Sequence, residues 1–506
     1  MRPLMVLGCT SDAGKSLLAT ALCAWFRREG VRVAPFKAQN MSNNARVVAT
    51  GHGSGEIGVA QWLQARAAGA EPDVRMNPVL LKPEADTQSQ VVVRGQVDRG
   101  LTATPWRDRH EALWIPMVEG FEELSAEFDL VVLEGAGSPA EINLVDQVNN
   151  RMIEHADAAG LLVSDIDRGG SFAHLCGTWA LVPEATRQRL SGFVLNKFRG
   201  DPTLLAPGPE QLTAMTEMAH AGTLPMLRHR LPREEGATEA LGAGDAPAGA
   251  PIVVLPRLPF GSNLDEFHML SHVADVRWAS SQRAFDDADF VVLPGSKHVV
   301  ADMAWMRERG IDAAVQRAAQ RDVPVIGVCG GAMMLGFDVA DPHGVEGVGL
   351  AGADAGGTAS RSAPMLRLLP ISTTMSAAKR VEQVDVEFDH RSGNRTITHG
   401  YEIRYGEIRL EPGQDRIDES DLVAARTANG PVAWRQGNVV ATTVHGLFED
   451  PAFVREVIGV EADDVLEATF ALLADAIEEH VDTALLWRLV GEQAEEAPRQ
   501  ATFWVP

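Results

Sequence analysis

Two stretches of the 506-residue sequence combine residue types that support chemistry. Gly8-Cys9-Thr10-Ser11-Asp12-Ala13-Gly14-Lys15-Ser16 follows an apolar run and precedes a helical pattern. A glycine-containing turn in that position offers backbone N–H groups and a helix N-terminus to phosphate oxygens. Thr10, Ser11, Asp12, Ala13, Gly14, Lys15 and Ser16 are therefore expected to contact ATP, with Lys15 at the β- and γ-phosphates and the Ser16 hydroxyl on Mg2+. Far downstream, Val325-Ile326-Gly327-Val328-Cys329-Gly330-Gly331 is a strand entering a sharp turn, with cysteine at the nucleophile position. Such a turn presents the sulfur at a helix N-terminus, which favours thiolate. The Gly330 N–H and the Gly295 N–H in LPGSK (293–297) are candidate oxyanion donors. His445, in TTVHGLF (442–448), is the candidate general base.

Each motif has a plainer reading. The first could be a tight strand–helix turn, but Gly-Lys-Ser between a strand and a helix argues against that. An arbitrary Cys–His pair is usually inert core, and the glycines framing Cys329 and His445 reverse that expectation. Cys9, Cys23 and Cys176 lack such framing. Three strand-end residues suit the nucleotide. Glu134 can complete Mg2+ coordination, Asn196 can pair with an adenine edge, and Lys37 can add charge near the transferred phosphoryl group. The loop departs from the common spacing, since Cys9 takes an expected glycine position. In this it resembles the loop of dethiobiotin synthetase and of deviant-loop ATPases.

Composition narrows the function classes. Apolar residues make up 45% and charged residues 23%, an ordinary folding composition. The formal charge of −24 argues against nucleic acid and against anionic lipid as partners, because both need a basic face. No apolar run reaches the length of a membrane span. The first residues end in the glycine turn, not in a signal-cleavage site. Four dispersed cysteines without a C-x-x-C pair argue against structural zinc and disulfides, and for a reducing cytoplasm.

The elements that position these motifs form two α/β units. Apolar runs at 3–8, 31–37, 128–137, 158–167 and 190–198 alternate with helical stretches, the first at 15–30. This predicts a parallel sheet covered on both faces. A Gly/Ala/Pro/Glu-rich stretch over 233–251 reads as a linker. Runs at 252–259, 289–297, 323–331 and 438–446 begin a second unit. The expected division is a nucleotide-dependent domain over 1–232, the linker, a domain over 252–450 that carries the cysteine nucleophile, and an amphipathic helical tail over 451–506 packed on the second domain.

Together the motifs resemble glutamine-dependent amidotransferases joined to an ATP-dependent synthetase. KAQNMSNN (37–44), MNPVLLKPEADTQSQVVVRG (76–95), LEGAGSPAEINL (133–144), NKFRGD (196–201), LPGSKH (293–298), GVCGGAMMLG (327–336) and GYEIRYG (400–406) are similar, in order, to the cobyric acid synthase family of cobalamin biosynthesis. The resemblance implies a dethiobiotin-synthetase-like N-terminal domain and a class-I glutamine amidotransferase-like C-terminal domain. It also implies amidation of the b, d, e and g carboxylates of adenosylcobyrinic acid a,c-diamide, with ATP, Mg2+ and glutamine.

The chain departs from such proteins in three ways, one of them a longer, Gly/Ala-rich stretch over 227–250 that reads as a linker insertion. Leu447 stands where class-I amidotransferases often carry a carboxylate, which implies a Cys329–His445 dyad. Met333, preceded by Ala332, replaces a glutamine that often helps hold substrate. Tyr401, Arg404 and Tyr405 are expected either to line the substrate site or to form an edge strand. Asp86, Gln88, Ser89, Asp165, Asp167 and Arg168 are further candidates for contacts with phosphate, Mg2+ or corrinoid. The rival functions are a sister enzyme (the a,c-diamide synthase or a cell-wall lipid amidase) and a non-enzymatic nucleotide switch.

Overall fold

The computed structural model describes the chain except residues 52, 86–87, 144–145, 233–245, 347–361, 390–393, 412–421, 463–464 and 492–506. Most of the expected linker lies outside the described residues, as does Asp86.

The first unit is built on a six-stranded parallel sheet. Its order is Ala219–Pro225, Leu190–Phe198, Ala159–Asp165, Leu4–Gly8, Leu130–Glu134 and Val33–Phe36. LMVLG and LVVLE are buried throughout, as strands with helices on both faces must be. The helix Lys15–Arg28 sets Leu18, Leu22, Trp25 and Phe26 into the core and ends before Gly30, whose φ of 84° suits glycine. A hairpin, Ala45–Thr50 with Gly53–Gly58, and a small sheet of four strands project from this unit.

The second unit begins as a parallel sheet in the order Asp275–Ala279, Ile252–Pro256, Phe290–Leu293, Val325–Val328 and Val439–Thr442. It continues through Gly430–Gln436 and Val423–Thr427 into the long antiparallel pair Ile371–Asp389 and Arg395–Leu410. Both parallel sheets match the fold class expected from the apolar runs.

The tail corrects one expectation. The helix Pro451–Ile458 packs on the second unit, with Phe453 against Phe388 and Phe448. Leu466–His480 and Thr483–Leu489 instead cover the first unit. Phe470, Leu473 and Ile477 share its core with Leu22 and Trp25. Trp25 Nε1 donates to Glu478 Oε2 at 2.9 Å, and Arg28 pairs with Asp475 at 2.6 Å. An amphipathic pattern requires an apolar partner but does not specify which one, and here Leu22 and Trp25 of the first helix supply it.

The units meet through buried charge. Lys82 and Lys379, one from each unit, both pair with Glu56. Burial alone would raise the Glu56 carboxyl, but the charges of Lys379 and Lys82 outweigh it and hold the group at about 2.

Candidate active site

The phosphate loop follows Leu4–Gly8 and turns through Asp12 and Gly14, with φ of 57° and 101°. A Cβ at Gly14 would lie 1.9 Å from Asn196 Nδ2, so the loop needs glycine for space as well as for its backbone. The loop opens into a cavity of about 960 Å³ at the carboxyl ends of the parallel strands. Of the predicted nucleotide contacts, Ser11, Asp12, Gly14, Lys15, Ser16, Lys37 and Asn196 line it. Thr10 and Ala13 shape the loop instead. Thr10 O accepts from Lys15 Nζ at 3.3 Å, and Ala13 O accepts from Asn196 Nδ2 at 3.0 Å. Asn196 Oδ1 is buried and has no partner among the described residues, so an acceptor remains for a ligand.

Glu134 organises the cavity floor. Its Oε1 accepts from the Ser16 hydroxyl at 2.8 Å and from Lys37 Nζ at 2.9 Å. Its Oε2 accepts from Gln64 at 2.5 Å and Gln61 at 3.4 Å. Burial would push this carboxyl up, but the Lys37 charge and the hydrogen bonds from Lys37, Gln64 and Ser16 hold it below the ordinary carboxylate range. The hydroxyl and carboxylate are hard oxygen donors of the kind Mg2+ takes. Asp165, Asp167 and Arg168 also line the cavity; Asp165 pairs with Lys197 at 3.0 Å and Arg168 at 3.4 Å.

The second centre arises from strand register. Val325–Val328 and Val439–Thr442 run parallel with Val328 beside Thr442, so Cys329 and His445 emerge together at the carboxyl ends. Cys329 has φ 51° and ψ −105°, a strained elbow held by its N–H to Thr442 O at 2.7 Å. The glycine framing has a steric cause. A Cβ at Gly331 would lie 2.1 Å from Leu293 O, and one at Gly330 2.6 Å from Ser296 N. The 293–296 loop therefore packs directly beneath the elbow, and Gly295 backs onto the His445 ring.

The charge of Cys329 acts on the His445 ring, whose Nδ1 lies 2.8 Å from Glu266 Oε1. Glu266 Oε2 accepts the Gly446 N–H at 2.9 Å, and both side chains are buried. Burial disfavours an imidazolium, but the charges of Glu266 and Cys329 outweigh it and raise His445 to about 10. The two-residue arrangement expected from Leu447 is thus corrected. Leu447 is core, and a carboxylate from the turn Leu264–Phe267 occupies the third position. Its sequence signal is only an acid shortly after the first strand of the second unit.

Other expectations resolve locally. Met333 packs against Gly406 in the core, and Arg404 pairs with Glu402 at 2.8 Å. GYEIRYG lies in the strand Arg395–Leu410, where Tyr401 stacks on His445 with ring centroids 5.4 Å apart and Tyr405 accepts from Gln90 at 3.1 Å. Gln88 and Ser89 pair with Ala85 and Pro83 in a hairpin. Burial pushes the Cys9 thiol up to about 11 and raises that of Cys23 as well, which fits inert roles. Among the described residues, no helix is long and apolar enough to cross a membrane.

Residues 4–247 match the model of the CobQ/CobB/MinD/ParA nucleotide binding domain, and 252–453 that of the CobB/CobQ-like glutamine amidotransferase domain. Cobyric acid synthase of Variovorax paradoxus (strain S110) is 48% identical over 503 residues, covering 97% of this chain and 99% of that protein. The chain belongs to the cobyric acid synthase family. Cobyric acid synthase of Paracidovorax citrulli (strain AAC00-1) is 49% identical, covering 96% and 98% of the two chains. That of Methylibium petroleiphilum (strain ATCC BAA-1232 / LMG 22953 / PM1) is also 49% identical, covering 97% of each. Similarity at this level spans both units, so it sets aside a nucleotide switch that shares only the first.

Proposed function

We propose that this chain uses ATP and glutamine to amidate the b, d, e and g carboxylates of adenosylcobyrinic acid a,c-diamide, giving adenosylcobyric acid in the cytoplasm. The observation that carries the reading is the Cys329–His445–Glu266 line on a chain that also holds a phosphate loop. Kinship with cobyric acid synthases selects the corrinoid substrate.

In the second unit, the Cys329 thiolate attacks the glutamine side-chain carbon. The N–H groups of Gly330 and Gly295 receive the developing oxyanion. His445, protonated in the resting pair, gives its proton to the departing ammonia and leaves a thioester. It then takes a proton from water as that water attacks, and glutamate is released. Glu266 keeps the ring oriented and stabilises its charge.

In the first unit, a free carboxylate is too poor an electrophile for ammonia. A carboxylate oxygen of the corrinoid attacks the γ-phosphorus of ATP, ADP departs, and an acyl phosphate forms. Ammonia displaces phosphate from it and yields the amide. Lys15 and Lys37 offset charge on the transferred group. Ser16 and Glu134 suit Mg2+, which would neutralise phosphate charge there. Incubation with ATP, glutamine and the diamide tests the assignment by product mass. Four new amides are expected; two amides formed from cobyrinic acid instead would assign the chain to the sister reaction.

A further inference from the structure

One side chain of the first unit reaches the heart of the second centre. Arg46 lies on the hairpin strand Ala45–Thr50, and its side chain is 4% exposed. Its NH2 group pairs with both Asp265 and Glu449, and its NH1 donates to the Tyr401 hydroxyl at 2.9 Å. The guanidinium carbon lies 5.5 Å from the Trp62 ring centre and 5.4 Å from that of Tyr401.

Asp265, Tyr401 and Glu449 each adjoin the Glu266–His445 pair. Asp265 precedes Glu266 in the turn Leu264–Phe267. That turn is held a second time, because Asn263 Oδ1 accepts the Ala45 N–H at 3.1 Å. Tyr401 exchanges backbone hydrogen bonds with His445, at 3.1 and 2.9 Å, and stacks on its ring. Glu449 closes the turn Leu447–Glu449 just after His445. Glu266 and Tyr401 each bond the His445 segment from within the second unit, and Arg46 adds from the first unit one fork that engages all three segments at once.

We propose that Arg46 is a positioning residue for glutamine hydrolysis, so that the second unit's chemistry depends on a side chain of the first. The inference rests on the roles given above to Cys329 and His445. Arg46 touches no reacting atom; it fixes the angle at which Glu266 holds the imidazole. Without it, Asp265 and Glu449 are left as buried or half-buried carboxylates without their shared cation, and the turn carrying Glu266 loses an anchor.

The test uses the full chain with two nitrogen sources, glutamine and ammonium, since free ammonia bypasses the thiol. Arg46→Ala is expected to lower glutamine-driven amidation about 30-fold or more, through kcat and not the glutamine KM, with ammonium-driven amidation within about two-fold. Arg46→Lys, which keeps the charge and loses the fork, should recover part of the loss. Tyr401→Phe preserves the stacked ring and removes only the hydroxyl, so it should show a smaller loss of the same kind. It also guards against misfolding of the arginine variant. An unchanged glutamine-driven rate in Arg46→Ala, or equal loss with both nitrogen sources in Arg46→Ala and Tyr401→Phe, would overturn the proposal. Cys329→Ser separates the two levels. If it retained glutamine-driven amidation, the nucleophile assignment itself would fall, whatever Arg46 does.

Discussion

The phosphate loop opens into a cavity of about 960 Å³, whereas Cys329 lies 6% exposed, with its sulfur 3.6 Å from Ile403 O of the strand Arg395–Leu410. Both centres sit at the carboxyl ends of parallel strands. They differ in what surrounds them. In the first, Lys15, Lys37 and Lys197 are held by carbonyls and carboxylates beside an open cavity. The second lies beside the first unit, where Ile403 packs on Ala45, Leu80 and Val92. The contrast follows from the chemistry. A phosphate site must admit a large charged ligand, while a centre that frees ammonia must keep it from bulk water, where it would be protonated. An enclosed route between the units is the natural complement.

The comparison breaks first at the sulfur. Cys329→Ser is expected to reduce glutamine-driven amidation by about 10⁴-fold while ammonium still supports it. Unchanged glutamate release would show that the buried thiol is not the nucleophile. Lys15→Ala should reduce amide formation from either nitrogen source by about 10³-fold, with glutamate release still measurable. Loss of both activities in a folded protein would mean that the two centres are not separable in this way.

Glu266→Gln sharpens the account of the buried centre. A loss of about 10² in glutaminase kcat is expected. Its pH profile should change in a defined direction. His445 keeps its proton below about pH 10 because of the charges of Glu266 and Cys329, against the pull of burial. With the Glu266 charge removed, the ring loses its proton at lower pH, so the descending alkaline limb moves down. An alkaline limb that stays in place would dissociate Glu266 from the titration.

The smallest expected effect concerns the tail. Glu478→Ala removes the acceptor of Trp25 Nε1 and should lower stability by about 1–2 kcal/mol. Denaturation followed by nucleotide binding and by glutaminase activity should place that loss in the first unit. A loss confined to the second would contradict the packing of the tail.

The sequence carried what depends on local pattern. Continuous apolar runs marked both parallel sheets, and the glycines beside Cys329 and Lys15 marked turns that tolerate no Cβ. His445 was legible because a strand end and a following glycine place it. Glu266 and Arg46 were not, for a different reason. Glu266 meets a histidine 179 residues away, and Arg46 meets Asp265, Glu449 and Tyr401, which lie 219 to 403 residues away. No periodicity encodes such meetings. The tail shows the same limit, since its helices announce an apolar face without naming the surface that covers it.

The central claim is that nitrogen freed at Cys329 arrives on a carboxylate activated at the phosphate loop. Amide-¹⁵N glutamine, ATP and the corrinoid diamide, supplied together with excess unlabelled ammonium at neutral pH, test it directly by mass spectrometry of the product. The account predicts four new amides carrying ¹⁵N well above the label fraction of the bulk ammonium pool. Amides labelled only to the level of that pool would contradict a sheltered transfer between the two centres.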